Sequence, residues 1–454
     1  MAKRFGWLLG AVALVLIGLL VACGSYYNAS SDGLLIVGSQ GSGLLETFAF
    51  TLNSGSIYAV SNNPNDTSND VCVLNGVPSS IVVDPAGAYA YTIINANSLC
   101  DTDPTKPSTT GILAFKINSD GTTTQVGSQV PFLPSAGMAV FPGTMVMDPS
   151  GKFLFVADRA TNPYGGGPQV SGAISVFLIG SGGSITEVSG SPYVPTVQST
   201  IPQAIIDIVG VAPTPTVFPA IGLNGVQQAV CSDVGNNPPT LEYLYAVDGL
   251  GNQVFEFAVN TTTGVLTNPS TASYEPAFPT DPTPAGVAVD PCNRFVYVSD
   301  SLTNRVSAYA ICNGSTTSPA IPCAALGVPG ALVEVTGSPF GLSGSANSPG
   351  PLVVDAFGNF VYVVGTLSNT VSVLRISPIS GSLTASSPAT VATGIGPKAI
   401  AIRADDSWMF VTNFGSSSLG GNTVTQYLVT PQSGALTVQP PVQTDNYPWG
   451  VAVK

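Results

Sequence analysis

The chain contains no histidine, so any chemistry it performs must run on carboxylates, guanidinium groups, amines and aromatic rings. That removes Ser-His-Asp and Cys-His nucleophilic sites and His-ligated zinc or iron. What remains for a hydrolase is a carboxylate that activates water beside a cation that stabilises the oxyanion. Asp158 and Asp300 are the candidate bases, with Arg159, Arg305 or Lys398 as the cation. Lys398, Trp449, Gln203, Asp248 and Asn413 form a second set suited to holding a ligand. An indole stacks on a pyranose face, and a cation meets a carboxylate or phosphate. Asp158, Asp248, Asp300 and Asn413 occupy the same position in four of the repeats, so turn capping is also expected of them. No metal site and no cofactor are expected, because no CxxC pair and no nucleotide-binding loop leading into a helix is present.

These residues hang on a repeat. A proline followed by alternating apolar positions recurs at Pro78, Pro142, Pro202, Pro284, Pro349, Pro397 and Pro448. An aromatic-rich alternating run starts at Leu34, Tyr89, Phe153, Tyr243, Phe295, Phe360 and Trp408. In five copies the spacing is 11 residues (78 to 89, 142 to 153, 284 to 295, 349 to 360, 397 to 408). Period-2 alternation of β-branched and aromatic residues predicts strands. Asp148-Pro149-Ser150-Gly151 and its counterparts predict a tight turn between the first and second strands. A third strand follows Asn252, Asn304, Asn369 and Asn422, and a fourth follows Gly264, Gly381 and Gly434. Seven such units make an all-β chain, a seven-bladed β-propeller of four-stranded antiparallel blades. The repeat begins on a second strand and ends on a first strand, so the C-terminal strand is expected to close the first blade.

Phe295-Val296-Tyr297-Val298-Ser299-Asp300 and Trp408-Met409-Phe410-Val411-Thr412-Asn413 resemble YVTN repeats. With the Pro-x-Gly-Val-Ala-Val-Asp halves, they resemble the lactonase-type propellers, the family of the propeller-fold 6-phosphogluconolactonases. The resemblance covers roughly residues 33–454 and implies fold and a lactone-hydrolase label. It transfers no catalytic residue, because the matching motifs are structural repeats.

Residues 1–22 read as a secretory signal, with Lys3 and Arg4 ahead of an apolar core. Leu20-Val21-Ala22-Cys23 matches a bacterial lipobox, which makes Cys23 the lipidated residue and 23–32 a tether ahead of the propeller at 33–454. The protein is then exported and anchored to the cell envelope, with the outer membrane favoured where there are two. Six further cysteines fit an oxidising compartment, with the pairings Cys72–Cys100, Cys231–Cys292 and Cys312–Cys323 expected from shared faces and adjacent blades. A net charge of −13 excludes a nucleic-acid partner, which requires a basic face. The expected partners are the membrane and a small molecule or envelope protein. An insertion at about 209–238 interrupts the fourth repeat.

The residues after the seven prolines are expected to ring one mouth of the central channel: Ser79, Gly143, Gln203, Ala285, Gly350, Lys398 and Trp449. Three functions fit: a ligand- or partner-binding propeller, an extracytoplasmic hydrolase of a sugar-acid lactone or related cyclic ester, and a structural component of the envelope.

Overall fold

The computed structural model describes residues 32–52, 54–60, 76–96, 110–132, 141–148, 150–159, 172–195, 205–211, 242–268, 276–291, 293–312, 328, 330–344, 348–416 and 420–454. They form seven antiparallel sheets arranged as the blades of a propeller. Blade five shows the pattern: Pro284–Val289 innermost, then Phe295–Asp300, Arg305–Ile311 and Leu332–Glu334, with Phe340–Gly341 pairing the third strand lower down. In the first blade, Asp32–Ser39 pairs on one side with Leu44–Thr51 and on the other with the C-terminal strand Pro448–Val453. The ring is closed by this strand as the repeat phase predicts, and Asp32–Ser39 is left with no unpaired edge.

The second strands read as nearly unbroken apolar runs because both of their faces are buried. In blade five, Phe295 and Tyr297 pack with Val361 and Val363 of blade six, whereas Val296 and Val298 pack with Tyr243, Tyr245 and Val247 of blade four. Neighbouring blades are keyed at the rear rim. Gly264, Gly381 and Gly434 lie flat on the rings of Phe153, Phe295 and Phe360 in the preceding blade, and a Cβ at any of them would come within 2.7 Å of the ring. Their φ angles of +76°, +74° and +68° suit glycine and strain other residues. The Tyr297 and Tyr362 hydroxyls donate to the Gly381 and Gly434 carbonyls at 3.1 and 3.3 Å. At Phe153, Phe295 and Phe360 the aromatic that opens the second strand is therefore an inter-blade contact as well as a strand former.

The asparagines expected to open third strands do so for a backbone reason. Asn252, Asn304 and Asn369 hold φ of 54°, 59° and 53°, a left-handed conformation that asparagine tolerates. At the rear turns, Asp84, Asp290 and Asp355 each accept two backbone N–H groups through Oδ1. In blade four the first strand runs over Ile205–Val211, three residues into the expected insertion, before its partner Glu242–Asp248. The remainder of that insertion, the signal and tether up to residue 31, and Cys23, Cys72, Cys100, Cys231, Cys292 and Cys323 lie outside the described residues.

Candidate functional site

Each first strand enters its blade through a defect. Thr283, Ser348, Gly396 and Tyr447, one residue before the strand proline, all have positive φ. The ladder then slips by one residue: between Pro284 and Gly286, Pro349 and Leu352, Pro397 and Ile400, and opposite Gly38 and Ser39 for the closing strand. The slip re-aims the residue after the proline, as bulges do. Two of the residues displaced in this way carry large side chains, Lys398 and Trp449.

The two are brought together across the seam between blades seven and one. The Thr412 hydroxyl donates to the Trp449 carbonyl at 3.0 Å and accepts the Ala399 N–H at 3.0 Å, so one side chain fixes both strand starts. Lys398 Nζ lies 4.8 Å from the Trp449 ring centroid and 5.6 Å from that of Phe414. Phe414 meets Trp449 edge-on at 5.2 Å and Tyr447 at 5.1 Å. Lys398 is exposed, and Phe414 and Trp449 are half-buried. The turn after the first-blade second strand is bonded to the same loop, with Gln40 and Gly41 donating to the Tyr447 and Asn446 carbonyls. The result is a cation set against two aromatic rings, with Tyr447 packed on the far one, at the channel mouth. It suits a planar or ring-shaped ligand that bears a negative charge.

The acids at the ends of the second strands are placed differently. Asp300 is 0% exposed. Its Oδ2 accepts the Ser307 hydroxyl at 2.8 Å and the Ser307 N–H at 3.0 Å, and its Oδ1 has no hydrogen-bond partner among the described residues. Burial, reinforced by the nearby Asp281 carboxylate, pushes Asp300 up to about 8. Arg305 does not serve Asp300 alone: its guanidinium lies 3.5 Å from Asp281 in the loop that leads into blade five. Asp158 repeats the arrangement in blade three, accepting the Ser175 hydroxyl at 2.5 Å, and burial pushes it up to about 7. Asp248 is turned into its own hairpin, where it accepts the Leu250 N–H and the Gln253 side-chain amide. Asn413 is fully engaged by threonines: Thr393 donates to its Oδ1, and its Nδ2 donates to Thr423 and Thr425.

The structure therefore divides the residues singled out in the sequence. It joins Lys398 to Trp449. It leaves Asp158, Asp248, Asp300 and Asn413 in four separate blades, each buried. Gln203 and the Arg159 side chain lie outside the described residues. Asp281, Phe414 and Tyr447 were not foreseen. The two aromatics sit in or beside loops whose contacts are long-range, and the only sequence signal was an aromatic immediately flanking the strand-end Asn413 or the strand-start proline Pro448.

Residues 237–320 and 338–453 match the family described as lactonase, seven-bladed beta-propeller. No curated protein matches the sequence. Among solved structures, the Pseudomonas aeruginosa periplasmic gluconolactonase is similar, with 18% identity, a TM-score of 0.64 and coverage of 93% of this chain and 99% of that one. A candidate 6-phosphogluconolactonase of Bacteroides fragilis aligns with 17% identity, a TM-score of 0.61 and coverage of 93% and 98%. A Lactobacillus plantarum protein aligns with 12% identity, a TM-score of 0.62 and coverage of 93% and 99%. At these identities the likeness is one of fold. In its matched C-terminal residues and in the fold of its described residues, the chain is similar to the lactonase-type seven-bladed β-propellers.

Proposed function

We propose that this is an exported, lipid-anchored propeller that binds a small anionic ring compound, a sugar acid or its lactone, at the mouth beside blades seven and one. The carrying observation is Lys398 held over Trp449 and Phe414 in an exposed position. Attachment at Cys23 rests on the lipobox Leu20-Val21-Ala22-Cys23. Export is also supported by Cys312, which is buried and disulfide-bonded. The test of binding is calorimetry with gluconate and gluconolactone on the full chain and on Lys398→Ala and Trp449→Ala. Loss of at least tenfold in affinity in both variants is expected, and unchanged affinity removes the site. Incorporation of labelled palmitate that Cys23→Ala abolishes tests the anchor.

Turnover of a lactone is the second reading, favoured by the family match. It requires a base. Asp158 and Asp300 are closed off from solvent in separate blades, which opposes that role. A lactone panel run with Asp300→Ala separates the two readings: hydrolysis that this variant abolishes makes the protein an enzyme.

A further inference from the structure

Blades five, six and seven share one turn between their first and second strands. It is closed by the Asn293 N–H on the Asp290 carbonyl, the Gly358 N–H on that of Asp355 and the Asp406 N–H on that of Arg403. Asn293, Gly358 and Asp406 thus hold one position, with left-handed φ of 54°, 66° and 55°. At the seam of blades five and six the turn is neutralised. Asp290 Oδ2 accepts Arg294 Nε at 2.8 Å, and Arg294 Nη2 reaches the Gly358 carbonyl at 3.4 Å. A Cβ on Gly358 would stand 3.2 Å from that same Asp290 Oδ2. One blade on, Asp355 replaces Asp290, Asn359 replaces Arg294 and Asp406 replaces Gly358. The guanidinium is gone, and a second carboxyl group stands where the neighbouring seam has only a hydrogen. Asp406 Oδ1 accepts the N–H of Ala356, the residue after Asp355, at 2.8 Å. Asp355 Oδ1 accepts the Asn359 and Phe360 N–H groups at 2.6 and 2.8 Å. The two residues are 1% and 0% exposed, and Oδ2 of each has no hydrogen-bond partner among the described residues. The other charged or titratable groups around them are already engaged: Asp290 with Arg294, Asp405 with Arg403, and the Tyr362 hydroxyl with the Gly434 carbonyl.

We infer that Asp355 and Asp406 share one proton, Oδ2 to Oδ2, and that this pair makes the junction of blades six and seven a pH-sensitive latch. A single hydrogen between the two carboxyl groups gives each orphan oxygen its partner and leaves one negative charge, which the backbone N–H groups on the Oδ1 atoms hold. Loss of that hydrogen leaves two anions in one buried seam with no cation between them. Burial pushes both groups up, Asp355 to about 6 and Asp406 to about 7, and the Asp355 carboxylate adds to the rise at Asp406. The closed seam keeps a proton that an opened one releases near the ordinary aspartate value of about 4. Opening therefore becomes easier as pH rises from there to about 7, by up to about tenfold per pH unit, and levels off above. The turn follows directly on Pro397–Ile402, whose second residue is Lys398, so the latch secures the far end of the strand that carries the lysine.

The experiment is hydrogen exchange of the full chain in a nonionic detergent, read by mass spectrometry across that pH range and corrected for the intrinsic pH dependence of amide exchange. Protection of residues 355–360 and 403–408 is expected to fall by up to about tenfold per pH unit. Residues 290–295, where Arg294 faces the acid, are the control from the same turn and should lack this slope. Asp406→Asn keeps a residue that tolerates the left-handed turn, keeps the acceptor for the Ala356 N–H and offers an amide to Asp355, so it should flatten the slope. Asn359→Arg copies blade five and should flatten it with both acids still in place. A slope that survives both variants, or one shared equally by residues 290–295, overturns the inference. So does a slope in the wild-type protein that calcium chloride removes, because a cation and not a proton would then join the two acids.

Discussion

Blades five and seven solve the same problem with different side chains. At the end of the second strand both bury a polar residue that must hold the third strand and the preceding loop. Blade seven uses Asn413, whose carbonyl oxygen and amide nitrogen are both engaged by threonine hydroxyls. Blade five uses Asp300, which takes two bonds from Ser307 on one oxygen and leaves the other without a partner among the described residues. An amide can donate and accept, whereas a carboxyl group in the same socket has one hydrogen at most. The fold thus contains its own control: the socket needs a polar group, and an amide fills it completely. The acid in blade five is an expensive choice, since an unsatisfied buried polar atom costs about 1–3 kcal/mol.

Substituting Asp300→Asn should produce the largest effect, and one that depends on pH. The folded protein holds the Asp300 proton up to about pH 8. The unfolded chain releases it near the ordinary aspartate value of about 4. Wild-type stability relative to the variant should therefore fall as pH rises from about 4 to about 8, by at most about 1.4 kcal/mol per pH unit, and level off above. Denaturant midpoints of both proteins across that range check this, and parallel curves would end the comparison. The reverse exchange, Asn413→Asp, removes the donors to Thr423 and Thr425 and should cost about 2 kcal/mol at pH 8, and less at pH 5. A neutral result would mean that the blade-seven socket is not the satisfied one. Ser307→Ala strips Asp300 of its 2.8 Å hydroxyl bond, should cost about 1 kcal/mol, and should extend the falling limb to higher pH. Leu302→Ser, a change at an exposed turn tip in blade five, should leave the midpoint within about 0.5 kcal/mol. A larger loss would mean that this leucine is structural.

Much of the architecture was legible because it is written in local spacing. The 11-residue step from Pro284 to Phe295 is one hairpin, and strand phase alone predicted that Pro448–Val453 pairs with Asp32–Ser39. The site was legible only where a side chain broke the repeat, as at Lys398 and Trp449. Asp158 and Asp300 misled because strand ends point toward the mouth in sequence, while the parity of the strand turns their side chains between blades. Asp281 was invisible because its meaning depends on Arg305 and Asp300, which are brought to it by an inter-blade contact and not by spacing.

The strand that closes the ring also carries Trp449 on its second residue. The indole therefore reaches the seam beside Lys398 only once Pro448–Val453 has folded back onto the first blade. A product cut short by even six residues, such as one left by a premature stop codon or a carboxypeptidase, would lack the indole as well as the clasp.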